Sequence, residues 1–271
     1  MNNPAYVLGH SDREISRLKV QARLLDPVTK QFLRDAGITA GMRVLDIGSG
    51  AGDVAFLAAE LVGRSGEVIG SDTATAAVAA AARAAEEGGL RNVIFREGDP
   101  AHMEFNQRFD AIVGRYVLLF QTSPAEMLRK LARHVRPGGV MVFHEPDWVS
   151  ARSTPPAPTY DRCVAWIRDT FRIAGTDSDM ASRLYAAFIG AGLPAPSMRL
   201  QTFIGGGAAC SDFLQAVADL IGVLVPTMER QGITTASEAD VATLAERLTV
   251  EVIDNGSVVV GRSEVGAWTR L

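Results

Sequence analysis

The stretch LDIGSGAGD (45–53) sets three glycines, Gly48, Gly50 and Gly52, at alternate positions between an apolar run and a helical segment. Glycines there admit left-handed backbone and let a ligand approach the main chain closely. A turn of this kind occurs in many α/β proteins, so its surroundings decide what it means. RVLDI (43–47), EVIGS (67–71), NVIFR (92–96), FDAIVG (109–114) and VMVFH (140–144) are short apolar runs. Helices are predicted between them over roughly 52–62, up to about Glu87, and over 124–135. Gly63 stops the first and Gly88–Gly89 the second, while the turn Pro137–Gly138–Gly139 leads into the fifth run. Strands alternating with helices predict a parallel sheet with helices on both faces. Runs that are apolar rather than alternating suit strands buried on both sides.

Two helical segments precede this core. Ser11 and Glu14 have the spacing of a capping box, and Asp26–Pro27 opens a helix that Gly37 ends. After Trp148 the character changes. SARSTPPAP (150–158) reads as a linker, followed by helices at about 159–173 and 179–190 and a strand at 197–204. Residues 211–252 read as mostly helical, and GSVVVGRSEVGAWTRL supplies one or two closing strands. The division expected is a helical cap (1–37), a core (38–148), and a helical lid with the last strands (149–271). Apolar residues on more than one face of 211–230 suit burial under a lid or in a homodimer.

Composition narrows the partners. Apolar residues make up 47% and charged residues 21% of the 271, with a net charge of −4, so the basic face that draws in nucleic acid is not expected. The two cysteines, Cys163 and Cys210, lie too far apart for a zinc motif, and the four histidines show no paired spacing. No metal site is expected. MNNPAYVLGH lacks the basic and apolar pattern of a signal peptide, and the Ala-rich 74–85 stretch is too short for a span and holds Arg83. A cytoplasmic protein without a membrane partner is the expectation.

Three carboxylates point to the ligand. A dinucleotide fingerprint requires a third glycine where this chain has Asp53. Asp46, beside the loop, would repel a pyrophosphate and suits a cation. Asp72, at the end of the second run, is placed to accept from ribose hydroxyls. Asp99, in EGDPAHM, is placed to accept from an adenine amine. Together they suit a nucleoside carrying an ammonium and a sulfonium, bound where the strands end.

Residues 43–145 resemble the class I S-adenosyl-methionine-dependent methyltransferases, in particular the ubiquinone/menaquinone-methyltransferase-like group. VLDIGSGAGD, SDTA, EGDPAHM and RPGGVMVFHE carry the resemblance, in the family's order. It implies an α/β, Rossmann-like, doubly wound seven-stranded sheet whose last strand is antiparallel. It further implies that Asp46, Gly48, Ser49, Gly50, Asp72, Thr73, Gly98, Asp99, Pro100 and Arg115 hold S-adenosyl-methionine, Arg115 through its backbone, with Ala101, His102 and Met103 walling the adenine. Tyr6, Tyr116, Asp147 and Trp148 are candidates for contact with a small-molecule acceptor, and His10, His144 and Glu145 for catalysis. The rival readings are an NAD(P)-dependent oxidoreductase and a non-catalytic binder of the same cofactor.

Overall fold

In the computed structural model the described residues are 25–271. Tyr6, His10 and the Ser11–Glu14 capping box lie outside them. The chain divides into two compact units. One runs up to Glu145 and adds Met180–Leu200 and Val265–Leu271; the other comprises Pro146–Asp179 and Gln201–Glu264.

In the first unit a helix over 25–35 (α1) ends before Gly37, whose φ of +85° reverses the chain. The strands β1 (Arg43–Ile47), β2 (Glu67–Asp72), β3 (Val93–Glu97) and β4 (Phe109–Arg115) follow, separated after β1 and β2 by the helices α2 (Asp53–Val62) and α3 (Thr75–Glu87). Helix α4 (Pro124–Ala132) leads to β5 (Val135–Asp147), and helix α6 is Met180–Gly190. Strands β1 to β5 pair in parallel in the order β3-β2-β1-β4-β5. Successive residues on a strand point to opposite faces, and the packing follows that alternation. Leu45, Ile47, Ile112, Met141 and Phe143 join Leu128, Leu184 and Phe188 in one cluster. Val44, Val68, Ala111, Val113, Val140 and Val142 meet Leu33, Ala36 and the buried face of α2 in another. Burial on both faces is thus the reason β1, β2, β4 and the second half of β5 read as continuous apolar runs, whereas β3, at the sheet edge, buries only Val93.

The predicted turn Pro137–Gly138–Gly139 is not ahead of β5 but inside it. Phe109 pairs with Val135 while Ala111 pairs with Val140, so 136–139 form an excursion within the strand. A side chain at Gly139 would stand 2.8 Å from the Asp110 carbonyl oxygen, which is why a small residue is needed there. The preceding helix is correspondingly shorter than expected, ending at Ala132.

The last strand, β8 (Val258–Arg270), lies beside β5. Gly138 N–H donates to the Leu271 carbonyl and Leu271 N–H to that of Gly139, so the C-terminal end of β8 meets the N-terminal part of β5 and the pair is antiparallel. Strand β7 (Ser197–Gly206) also pairs with β8. All seven expected strands are present, and an eighth is added. Residues 152–154, read as linker, form β6 (Arg152–Thr154), which runs antiparallel to Val258–Val260.

The second unit is mainly helical. Helices α5 (Pro158–Ile173), α7 (Ser211–Gln231), α8 (Ala236–Ala239) and α9 (Val241–Asp254) surround a core of Trp148, Tyr160, Ile167, Leu214, Ile221 and Leu248. The segment Gly207–Gln231 is long and apolar enough to cross a membrane, and half of its apolar window is buried.

Candidate functional site

The glycine loop leaves β1 at Ile47 and enters α2 at Asp53. Gly48, Gly50 and Gly52 all have positive φ, at 61°, 51° and 97°. Their needs differ. A Cβ at Gly52 would strike the rings of Phe56 and Phe95 at 2.7 and 2.9 Å, and one at Gly48 would stand 2.8 Å from Val117 Cγ2. A Cβ at Gly50 would meet nothing within 4 Å. Gly52 and Gly48 therefore serve packing as well as the turn, whereas Gly50 faces open space.

Asp72, at the end of β2, is tied to this loop. Its Oδ2 accepts from Gly50 N–H and its Oδ1 from Ala74 N–H, both at 2.9 Å. Each oxygen keeps a further lone pair. Ser49 N–H donates to the Ser71 carbonyl at 3.0 Å, joining the loop to β2 a second time. Thr73, next to Asp72, is exposed.

Asp46 sits in β1 opposite Gly70 of β2 and Val113 of β4. It is 1% exposed, and neither carboxylate oxygen has a partner in hydrogen-bonding geometry. Burial pushes its pKa well above the usual carboxylate range. The Arg115 guanidinium and, more weakly, the Ala55 N–H pull it back, while the Asp72 and Asp53 charges add to the rise. A buried carboxylate without a well-aligned donor is costly, and a cation bound beside it would relieve that cost. Ser49 Oγ, beside it in the sequence, is likewise buried and unpartnered.

After β3 the turn carries Gly98, Asp99 and Pro100. Gly98 N–H donates to the Asp72 carbonyl at 2.9 Å, and the Gly98 carbonyl accepts from Ser71 Oγ at 2.8 Å, so this turn is strung to the end of β2. Asp99 Oδ1 accepts from Ala101 N–H at 2.9 Å and Oδ2 pairs with His102 Nδ1 at 2.8 Å. Pro100 and Ala101 are buried, and His102 lies exposed at the rim.

At the end of β4, Arg115 is nearly enclosed. Its Nη1 donates to Asp26 Oδ1 at 3.0 Å and to Thr29 Oγ1 at 3.1 Å, and its Nη2 faces Asp53 Oδ2 at 3.4 Å. Burial raises the Asp53 pKa, and the Arg115 charge opposes that rise. The side chain is thus committed to α1 and α2. Sequence reasoning missed Asp26 and Thr29 as its partners. Their three-residue spacing, which puts both on one helix face, was the available signal.

Next along the chain, Tyr116 has a φ of +59°, and its N–H donates to the His144 carbonyl at 2.9 Å. The His144 ring is 2% exposed. Its Nδ1 is 3.0 Å from Thr29 Oγ1, and its ring is edge-on to Phe32 and Tyr116 with centroids 5.0 and 5.5 Å away. Glu145, fully buried, takes the N–H groups of Val117 (3.0 Å) and Leu118 (2.7 Å) on Oε1 and that of Leu119 (3.4 Å) on Oε2. Both residues, singled out as catalytic, are buried and hold backbone or hydroxyl partners.

Asp147 and Trp148 belong to the second unit. Asp147 Oδ1 accepts from Val149 N–H at 2.8 Å, and Trp148 is buried beneath Arg262, whose guanidinium carbon lies 5.0 Å from its ring centroid. Among the described residues no group of His, Cys, Asp and Glu is arranged to hold a metal ion.

A glycine loop, a carboxylate at each of three strand ends and a parallel sheet define a nucleoside-binding α/β fold of the Rossmann type. Residues 38–185 match the family model described as a methyltransferase domain. The chain belongs to that family, the class I S-adenosyl-methionine-dependent methyltransferases. It is 40% identical over 114 residues to an arsenite methyltransferase of Aquipseudomonas alcaligenes, covering 39% of this chain and 33% of that one. It is 34% identical over 110 residues to a ubiquinone/menaquinone biosynthesis C-methyltransferase of Coxiella burnetii, covering 40% and 44%. The matched stretch is thus under half the length of either relative. A methyltransferase-like structure from Bacillus halodurans superposes with a TM-score of 0.58 at 17% identity, over 89% of this chain and 97% of that one, which speaks to the fold alone.

Proposed function

We propose that the protein transfers a methyl group from S-adenosyl-methionine to a small-molecule acceptor. The buried, unpartnered Asp46 carboxylate beside the glycine loop carries this reading. It fits a cofactor with an ammonium and a sulfonium and would repel the pyrophosphate of a dinucleotide. Gly50 leaves open space for the ligand, and Asp72 has lone pairs left for two ribose hydroxyls. Gly98–Pro100 would border the adenine.

The cofactor supplies a methyl group already activated on sulfur. The chain's task is then to hold donor and nucleophile in line and to exclude water. Asp46 and Asp72 would fix the two ends of the donor, with Tyr116 beside its reactive end.

Acceptor identity is not inherited from the relatives. Arsenic(III) is soft and bonds to thiolates, yet Cys163 and Cys210 are both fully buried. Burial pushes the Cys163 thiol up to about 12 and that of Cys210 upward as well. An organic acceptor with an oxygen, nitrogen or carbon nucleophile fits better.

The test is calorimetric titration with S-adenosyl-methionine and its demethylated product, with NAD as control. Binding of both sulfur nucleosides with NAD silent supports the reading, and acceptors can then be screened by mass gain. Binding of NAD alone would overturn it.

A further inference from the structure

Glu145 is buried at the end of β5, yet the acceptors on its side chain are used by the main chain of another segment. The donors it meets, the N–H groups of Val117, Leu118 and Leu119, open the short 3-10 turn Leu118–Phe120. Such N–H groups have no partner within the turn itself. The residue just before them, Tyr116, holds a left-handed φ of +59°, which costs a bulky side chain about 1–3 kcal/mol and persists only where the surroundings enforce it. Two adjacent residues of β5 enforce it here. The His144 carbonyl takes the Tyr116 N–H, and the Glu145 carboxylate takes the N–H groups that follow.

The clamped turn has a second contact. Val117 lies directly over Gly48, so closely that a Cβ on Gly48 would stand 2.8 Å from Val117 Cγ2. The glycine loop is thereby held from above by Val117 and from the side by Asp72, through Gly50. Carboxylate, turn, valine and loop form one continuous chain of contacts.

We infer that Glu145 is a positioning residue for the donor cofactor: by fixing the turn 116–119 it sets, through Val117, the height of the glycine loop. The inference rests on the cofactor reading above and adds a residue to it that touches no ligand. A carboxylate is suited to the task, because charge-assisted bonds to backbone N–H groups are shorter and stronger than neutral ones.

The experiment compares wild type, Glu145→Gln and Val117→Ala, each titrated with the demethylated cofactor well below its melting temperature. There a variant that is only less stable is still folded and binds unchanged. Glu145→Gln keeps the shape but loses the charge and one of the two acceptor oxygens, and should weaken binding about tenfold. Hydrogen exchange at residues 117–119 should quicken in the same variant. Val117→Ala leaves the clamp in place and removes only the contact with Gly48, so binding should weaken severalfold while exchange at 117–119 stays slow. Wild-type affinity in both single variants overturns this inference alone. A wild-type protein silent towards the nucleoside overturns the cofactor reading along with it.

Discussion

Gly50 N–H donates to Asp72 Oδ2 at 2.9 Å, so the glycine loop proposed to cradle the cofactor is held by the carboxylate proposed to bind it. On the proposed reading one residue both shapes the site and serves it. Asp72→Ala removes the acceptor for Gly50 and Ala74 and the partner for ribose at once. Binding of the demethylated cofactor should weaken by about 100-fold or more, as two charge-assisted bonds of about 1.5–3 kcal/mol each are lost. Retained micromolar binding by calorimetry would sink the assignment.

Asp46 sets stability against function. Its folded pKa lies above the unfolded one because of burial, so the folded state holds the proton more tightly. Its contribution to stability is therefore best at acidic pH. It is lost as pH rises from the ordinary carboxylate value, about 3.9, towards the raised one. Asp46→Asn should melt like wild type near pH 4 and higher than wild type near pH 8, both without ligand. The same change should weaken cofactor binding. Equal melting at both pH values would show that the carboxylate is compensated after all.

Two glycines of one loop should fail differently. Gly52→Ala drives a methyl into Phe56 and Phe95 at a left-handed position. A loss of about 2–4 kcal/mol is expected in urea unfolding, from backbone strain and overpacking together. Gly50→Ala meets no atom, so only the backbone cost of about 1–2 kcal/mol applies. Its Cβ instead enters the space assigned to the ligand, and affinity should fall more than stability. The reverse ranking would move the ligand elsewhere.

Thiol reactivity tests whether arsenic(III) could be an acceptor here. A maleimide offered to the native protein at neutral pH should label neither Cys163 nor Cys210, since both are buried and their thiolates disfavoured. Both should react after denaturation. Fast native labelling would return arsenic(III) to the field of acceptors.

The core was legible because two physical signals coincide there. Strands buried on both faces are uniformly apolar, and glycines mark where each hands over to a helix; RVLDI is β1 as read, and β3 lies one residue further on than NVIFR. The excursion in β5 was not legible, since a Pro-Gly-Gly sequence signals a turn whether it precedes a strand or interrupts one. Site residues divide in the same way. Asp46 and Asp72 lie at or next to the last residue of a strand, and Gly50 in the loop just after one, where the pattern locates them. What His144 and Glu145 touch depends on Thr29, 115 positions away, and on a turn 26 to 28 positions away. No local spacing encodes such partners.

The excursion at 136–139 acts as a length adjuster for the whole edge of the site. Two residues of β4 are matched there by five of β5, so everything beyond it is drawn back by three positions, and Arg115 meets His144. Were the same residues paired straight through without the excursion, His144 and Glu145 would stand about 10 Å past the end of β4, at roughly 3.3 Å per residue. Because three is odd, each side chain would also change face. The excursion thus takes up three surplus residues of β5 and keeps His144 and Glu145 level with the turn that follows β4.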